Sequence, residues 1–134
     1  MMVYGVDTNV VLRLFVDDEP VQREAALRFG AGIGRDYTVF VTLLTLIELS
    51  WALKSQYGFD RRQISLAIRK LLHTRGLVVE GHDKVIKAVR LVERHNADFT
   101  DALIACQSLG EGCKTIYTFD IKAARKIPGM ELLT

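Results

Sequence analysis

This chain has too little cysteine for a disulfide framework, no histidine spacing suited to a zinc site and no apolar run long enough for a membrane span. Its two cysteines, Cys106 and Cys113, are seven apart, which matches neither a metal-ligand pair nor a disulfide pattern. Cys106 lies in an apolar helical run and reads as a small core residue. His73, His82 and His95 follow no ligand spacing, so zinc is not expected. The N-terminus lacks a charged segment leading into a long apolar core, and the expectation is a cytoplasmic protein without a membrane segment. Neither sign of charge dominates: the formal net charge of +2 is too small to demand a nucleic-acid partner and does not exclude one. There is no repeat, no low-complexity tract and no linker, so residues 1–134 read as one domain, long enough for a real core. A hydrophobic content of 49% fits a folded protein rather than a disordered one. The nucleophile elbow Gly-x-Ser-x-Gly, a Cys/His pairing and a dinucleotide fingerprint are all absent, which removes the reactions they serve.

What the chain does have is an alternation of short apolar strands with helices. Val3-Tyr4-Gly5-Val6 is a β-rich run that reads as a strand buried on both faces. It stops on Asp7-Thr8-Asn9, whose short polar side chains suit a helix start near Val10. Asp18-Glu19-Pro20 reads as a capping Asp followed by an early Pro. That helix runs through Val21, Ala25 and Phe29 to Gly30, Gly32 and Gly34, a flexible connection. These glycines follow no strand and precede no Lys-Ser/Thr, so they are a poor phosphate loop. Thr38–Val41 is a strand, Thr42 an N-cap, and 43–57 a helix closed by Gly58. Asp60 to Gln63 is a capping box, and Ile64, Ile68 and Leu71 form one apolar face. Leu77–Val79 is a third strand. In the next helix Val85, Val89 and Val92 lie on one side. Lys84, Lys87, Arg90 and Arg94 lie on another, either as a solvated face or as a phosphate contact. A helix starts near Asp98, a fourth strand ends at Asp120, a short helix covers 121–126, and 131–133 is a fifth strand. This order predicts an α/β fold with a five-stranded, mostly parallel sheet flanked by helices.

The chemistry follows from where the acids fall. Asp7 and Asp120 each end a strand, and parallel strands place such ends on one edge, where α/β sheets bind ligands. Asp101 begins a helix, and Glu48 interrupts an otherwise apolar helical run. A carboxylate in such a run must face solvent, find a partner or hold a metal. Helix capping and the helix dipole also explain an Asp at 7, 98 or 101. If Asp7, Glu48, Asp101 and Asp120 converge, their repulsion calls for a cation, and hard oxygen donors suit Mg²⁺ or Mn²⁺. Such a cation fits phosphoryl chemistry. An Asp-nucleophile phosphatase would want an Asp where Asn9 stands. A receiver-like domain would need Lys122 in the acidic pocket and leaves Glu48 unexplained. A metal-free RNA-binding scaffold would present four carboxylates to a polyanion.

The sequence resembles the PIN-domain ribonucleases, and among them the VapC-type toxins of toxin–antitoxin pairs. The matching pieces are Val6-Asp7-Thr8-Asn9, Leu46-Ile47-Glu48-Leu49, the run from Ala97 to Ala105, and Tyr117-Thr118-Phe119-Asp120, in the family's order. The resemblance implies parallel strands in the order 3-2-1-4-5 and Mg²⁺- or Mn²⁺-dependent cleavage of RNA. It also implies homodimerisation and a small antitoxin protein as partner. Asp7, Glu48, Asp101 and Asp120 match the family's acidic positions, with Asp7 and Asp101 as the principal metal ligands. Asp98 matches an additional acidic position, and Thr8, Asn9 and Thr118 match polar positions that orient the carboxylates. Ile121-Lys122 departs from the acidic or aromatic residue that many members carry there. The apolar excess of Leu14, Phe15, Trp51 and Tyr57 suggests an exposed surface for a second copy or for an apolar antitoxin segment.

Overall fold

The computed structural model describes residues 1–134. In chain order the elements are β1 (Val3–Gly5), α1 (Thr8–Arg13), α2 (Pro20–Ala31), β2 (Thr38–Val41), α3 (Leu43–Tyr57), α4 (Arg61–Leu72), β3 (Leu77–Val79), α5 (His82–His95), α6 (Phe99–Gly110), β4 (Ile116–Thr118), α7 (Ile121–Lys126) and β5 (Met130–Leu132). All strand pairs are parallel. The five strands form two sheets rather than one: β1-β2-β3 with β2 in the middle, and β4-β5. The expected order is kept within each part, but no ladder joins β1 to β4. β4 and β5 pack instead on α6 and α7.

The core lies between the larger sheet and α3–α6. Val39, Val41, Leu77 and Val79 point into it from the strands, and Leu46, Leu49, Leu53, Ile68, Val85, Val89 and Leu103 from the helices, all buried. The period-3.6 faces of α4 and α5 are the ones read from the sequence: Ile64, Ile68 and Leu71, then Val85, Val89 and Val92. The two helices are also tied by a fork-to-fork pair, Arg69 Nε to Glu93 Oε2 at 2.6 Å and Arg69 Nη2 to Glu93 Oε1 at 2.7 Å. The guanidinium holds the Glu93 carboxyl below its ordinary range. Arg90 and Arg94 lie near that same carboxylate, and Lys84 packs over Gly110.

Several local expectations shift. β1 is not covered on both faces: Val3, Tyr4 and Gly5 are exposed, because β1 is an edge strand and the sheet face carrying Gly5, Phe40 and Val78 is bare. Asp7, not Thr8 or Asn9, caps α1. Asp18 does not cap α2, whose N-cap Glu19 makes no side-chain bond. Instead Asp18 accepts from Arg13 and from the Tyr57 hydroxyl, which ties the α1–α2 turn to the end of α3. In α2 the residue that is buried is Ala26, while Val21 and Ala25 face outward. The stretch from Gly30 to Gly34 is not a loose connection. Ile33 bridges to Tyr37, Gly34 N–H donates to the Tyr37 carbonyl at 2.7 Å, and the Tyr37 ring stacks on Phe29 with centroids 5.0 Å apart.

Candidate active site

Three of the five acids named above are held by helix N-termini. Asp7 Oδ1 accepts from Val10 N–H at 3.1 Å, Asp98 Oδ2 from Asp101 N–H at 3.1 Å, and Asp120 Oδ1 from Ala123 N–H at 3.0 Å. Each cap satisfies an orphan backbone donor with one carboxylate oxygen and leaves the second oxygen outside the cap. Thr118 Oγ1 accepts from Asp120 N–H at 3.0 Å, which steadies the turn carrying that carboxylate. Glu48 is exposed on α3, and its Oε1 accepts from Thr8 Oγ1 at 3.0 Å. Capping and a possible ligand role are thus compatible in one side chain.

The acids gather in two groups. Asp7, Thr8, Asn9 and Glu48 line a cleft of about 380 Å³ between α1 and α3. Asp98, Asp101 and Asp120 line a second cleft of about 330 Å³. Trp51 is the one residue that lines both, standing on α3 one turn after Glu48. A larger trough of about 970 Å³ runs beside β1 on the far side of Asp7. It offers one carboxylate and the Arg13 guanidinium, which is already bonded to Asp18 and Gln22.

Crowding of charge falls on Asp101. Burial raises its carboxyl pKa most, and the charges of Asp98 and Asp120 raise it further, while Arg61 and Lys54 oppose them. Lys54 Nζ stands 3.6 Å from Asp98 Oδ1. Lys54 and Arg61 are functional-site neighbours that reading the sequence missed. Their signals were thin: Lys54 lies six residues, nearly two turns, after Glu48, and Arg61 sits inside a capping box that already explained it. Lys122 lines neither cleft, so the receiver-like alternative lacks its cation.

The donor set is all hard oxygen, with no imidazole or thiolate in either cleft, and this chemistry fits Mg²⁺ or Mn²⁺. No three His, Cys, Asp or Glu side chains surround a common point, and the acids line two clefts that have Trp51 in common.

The apolar surface expected from Leu14, Phe15, Trp51 and Tyr57 reduces to Trp51, which is 64% exposed. Phe15 and Tyr57 pack against the core, Leu14 is half-buried, and the Tyr57 hydroxyl is bound to Asp18.

The cap at Asp98 allows a clean separation of roles. Asp98→Ser keeps an N-cap acceptor and is expected to retain most of the stability. Asp98→Ala is expected to cost about 1 kcal/mol, the usual loss for a missing cap, measured by urea denaturation. Equal stability of the two variants would show that the bond to Asp101 N–H contributes nothing.

No curated protein matches the chain. Its structure is similar to VapC20 of Mycobacterium tuberculosis, a sarcin-ricin loop cleaving toxin, with 20% identity over 93% of this chain and 95% of that one and a TM-score of 0.44. It is also similar to VapBC2 from Rickettsia felis bound to a promoter DNA fragment, with 17% identity, coverage of 99% and 100%, and a TM-score of 0.39. A toxin–antitoxin complex from Klebsiella pneumoniae is similar at 22% identity, with coverage of 98% and 96% and a TM-score of 0.35. The family model for the PIN domain matches residues 4–128, nearly the whole chain, so this chain belongs to the PIN-domain family.

Proposed function

We propose that this PIN domain is an Mg²⁺- or Mn²⁺-dependent endoribonuclease, the toxin of a pair whose partner is a small antitoxin protein. The observation that carries the reading is that Asp7, Glu48, Asp101 and Asp120, the acids of the PIN pattern, all line the two clefts on either side of Trp51. The toxin assignment rests on the sequence resemblance to VapC-type chains. Asp7 and Glu48 from one cleft and Asp101 and Asp120 from the other would supply the oxygen donors for the cation, which when bound would supply a water of lowered pKa and stabilise the leaving oxygen of a phosphodiester. The chain's own contribution is positional. Helix caps aim Asp7 and Asp120, Thr8 steadies Glu48, and Asp98 fixes the start of α6 from which Asp101 projects. Asp98, Thr8, Asn9 and Thr118 are supporting residues in this reading.

Homodimerisation and antitoxin binding belong to the same proposal. Their apolar contacts would come from side chains that are exposed, such as Tyr117, Phe119 and Ile121, rather than from Phe15 or Tyr57. No helix is long and apolar enough to cross a membrane.

The test is purified protein incubated with labelled single-stranded RNA, with Mn²⁺ and with EDTA. Cleavage that appears with Mn²⁺ and stops with EDTA is expected. RNA left whole in Mn²⁺, or cut equally well in EDTA, would overturn the reading.

A further inference from the structure

The carboxylates explain chemistry but not how a polyanion stays in the site, since every one of them repels a phosphate. We infer that Trp51, Lys54 and Arg61 form a substrate track, in which a nucleobase of single-stranded RNA stacks on the Trp51 indole and the adjoining phosphate is held by Lys54 and Arg61. This rests on the ribonuclease reading above and names how that site holds its substrate.

Glu48, Trp51 and Lys54 are spaced by three along α3, so they form one stripe on the helix surface. At one end of the stripe Glu48 bonds Thr8, and at the other Lys54 faces Asp98. Between them the indole is 64% exposed and joins no aromatic cluster, the paired rings being Tyr4, Phe29 and Tyr37. Tryptophan is enriched at contact surfaces, where one end of the ring is apolar and the N–H is polar. What surrounds this one selects the partner. Its cleft neighbours include Asp7, Thr8, Glu48, Gln56 and Asp101, a polar rim that suits a flat ring with hydrogen-bonding edges and does not suit an apolar peptide.

The cations lie where a neighbouring phosphate would fall. Lys54 and Arg61 line the Asp101 cleft and also an adjoining hollow of about 410 Å³, which Arg62 lines as well. Their present partners leave capacity for a phosphate. The Lys54–Asp98 pair is long at 3.6 Å, with the Lys54 side chain 57% exposed, and such surface pairs exchange at little cost. Arg61 gives one N–H to the Asn96 carbonyl out of five donors. Stacking on an aromatic ring combined with cationic contact to the backbone is the general means of holding single strands.

The experiment uses the intact chain carrying Asp101→Asn, in Mg²⁺, so that a fluorescein-labelled ten-nucleotide RNA is bound and not cut. Trp51 is the only tryptophan, so intrinsic fluorescence reports on it alone and should be quenched on binding. Adding Trp51→Ala should weaken binding by about 5- to 150-fold, the range for one base–aromatic stack, with the salt dependence unchanged. Trp51→Phe should recover most of the affinity. Lys54→Gln or Arg61→Gln should instead lower the slope of log affinity against log salt by about 0.7, one phosphate contact on a single strand. Equal RNA affinity in Trp51→Ala, with the native chain still cutting RNA, would overturn the track and leave the ribonuclease reading standing. Trp51→Ala that changes the sedimentation coefficient but not RNA affinity would assign the indole to a protein partner, and would also overturn it. A native chain that neither binds nor cuts RNA would overturn both.

Discussion

Asp101→Asn is expected to cut RNA at least ~100-fold more slowly than the native chain while folding at least as stably in cation-free buffer. The loss of activity follows from removing a charged oxygen donor, since even partners one step removed from a metal are worth about 10–100-fold. The stability expectation follows from the local field. Asp101 is the carboxylate on which burial and the charges of Asp98 and Asp120 act together, and its pKa is raised above the ordinary 3.8. A raised carboxyl pKa means that the folded state binds the proton more tightly than the unfolded chain does. The stability this group contributes is therefore full below pH 3.8 and is lost as the pH rises through the folded value. Asparagine carries no such dependence. The advantage of Asp101→Asn over the native chain should be absent at low pH, open as the pH rises past 3.8, and stay constant above the folded pKa. Urea denaturation across that range in EDTA reads it directly. Mn²⁺ should then reverse the ranking, because a cation that binds only the folded native chain stabilises it by mass action, by about 2.7 kcal/mol at a hundred times Kd. A variant that is less stable than the native chain at neutral pH without cation would mean that Asp101 is engaged by Lys54 and Arg61 more than it is repelled by its acidic neighbours.

Gly76→Ala is expected to cost about 2–6 kcal/mol, from left-handed backbone strain of about 1–3 and overpacking of about 1–3. Gly76 precedes β3 with φ +83°, and a Cβ there would stand 2.3 Å from Gly34 Cα and 2.5 Å from Gly34 N. Gly34, itself at φ +81°, would place a Cβ 2.4 Å from the Arg75 carbonyl oxygen. The two glycines lie against each other where the chain enters β2 and β3, and the Gly76 carbonyl accepts from Val39 N–H at 2.8 Å. The clash is with backbone, so no rotamer can relieve it. Gly58→Ala is the control: φ is +69°, but the space around it is open, so only the strain applies. Denaturant midpoints compare the two. A Gly76→Ala cost no larger than that of Gly58→Ala would mean that the β2 and β3 entrances move apart freely. Since a domain is stable by only about 5–15 kcal/mol in all, the expected loss would take a substantial share of the total.

Much of this was legible in the residues because it is local. Thr42, Asp60 and Asp98 are caps because a short oxygen-bearing side chain three residues before a free N–H satisfies it wherever the helix sits. The buried faces of α4 and α5 follow from helical period alone. The same locality made Asp7, Asp98, Asp101 and Asp120 visible as acids at strand ends and helix starts, and Glu48 as a carboxylate with no place in a core. Even there a neighbour could win. Asp18 was read as the cap of α2, yet Arg13 and Tyr57, the latter thirty-nine residues away, hold it.

Distance in sequence marks where that legibility ended. Whether Asp7 and Glu48 share a cleft with Asp101 and Asp120 depends on how β1 meets β4, and nothing within either three-residue strand decides it. The acids line two clefts that have Trp51 in common. Lys54 and Arg61 gain a role only because the end of α3 and the start of α4 lie over the start of α6. Gly34 reads as part of a flexible connection until the fold brings its backbone against that of Gly76. Capping and periodicity are set by forces acting over a turn or two of chain. The site, its charge balance and its tightest contact are set by which surfaces the collapsed core brings together, and those surfaces come from segments forty to a hundred residues apart.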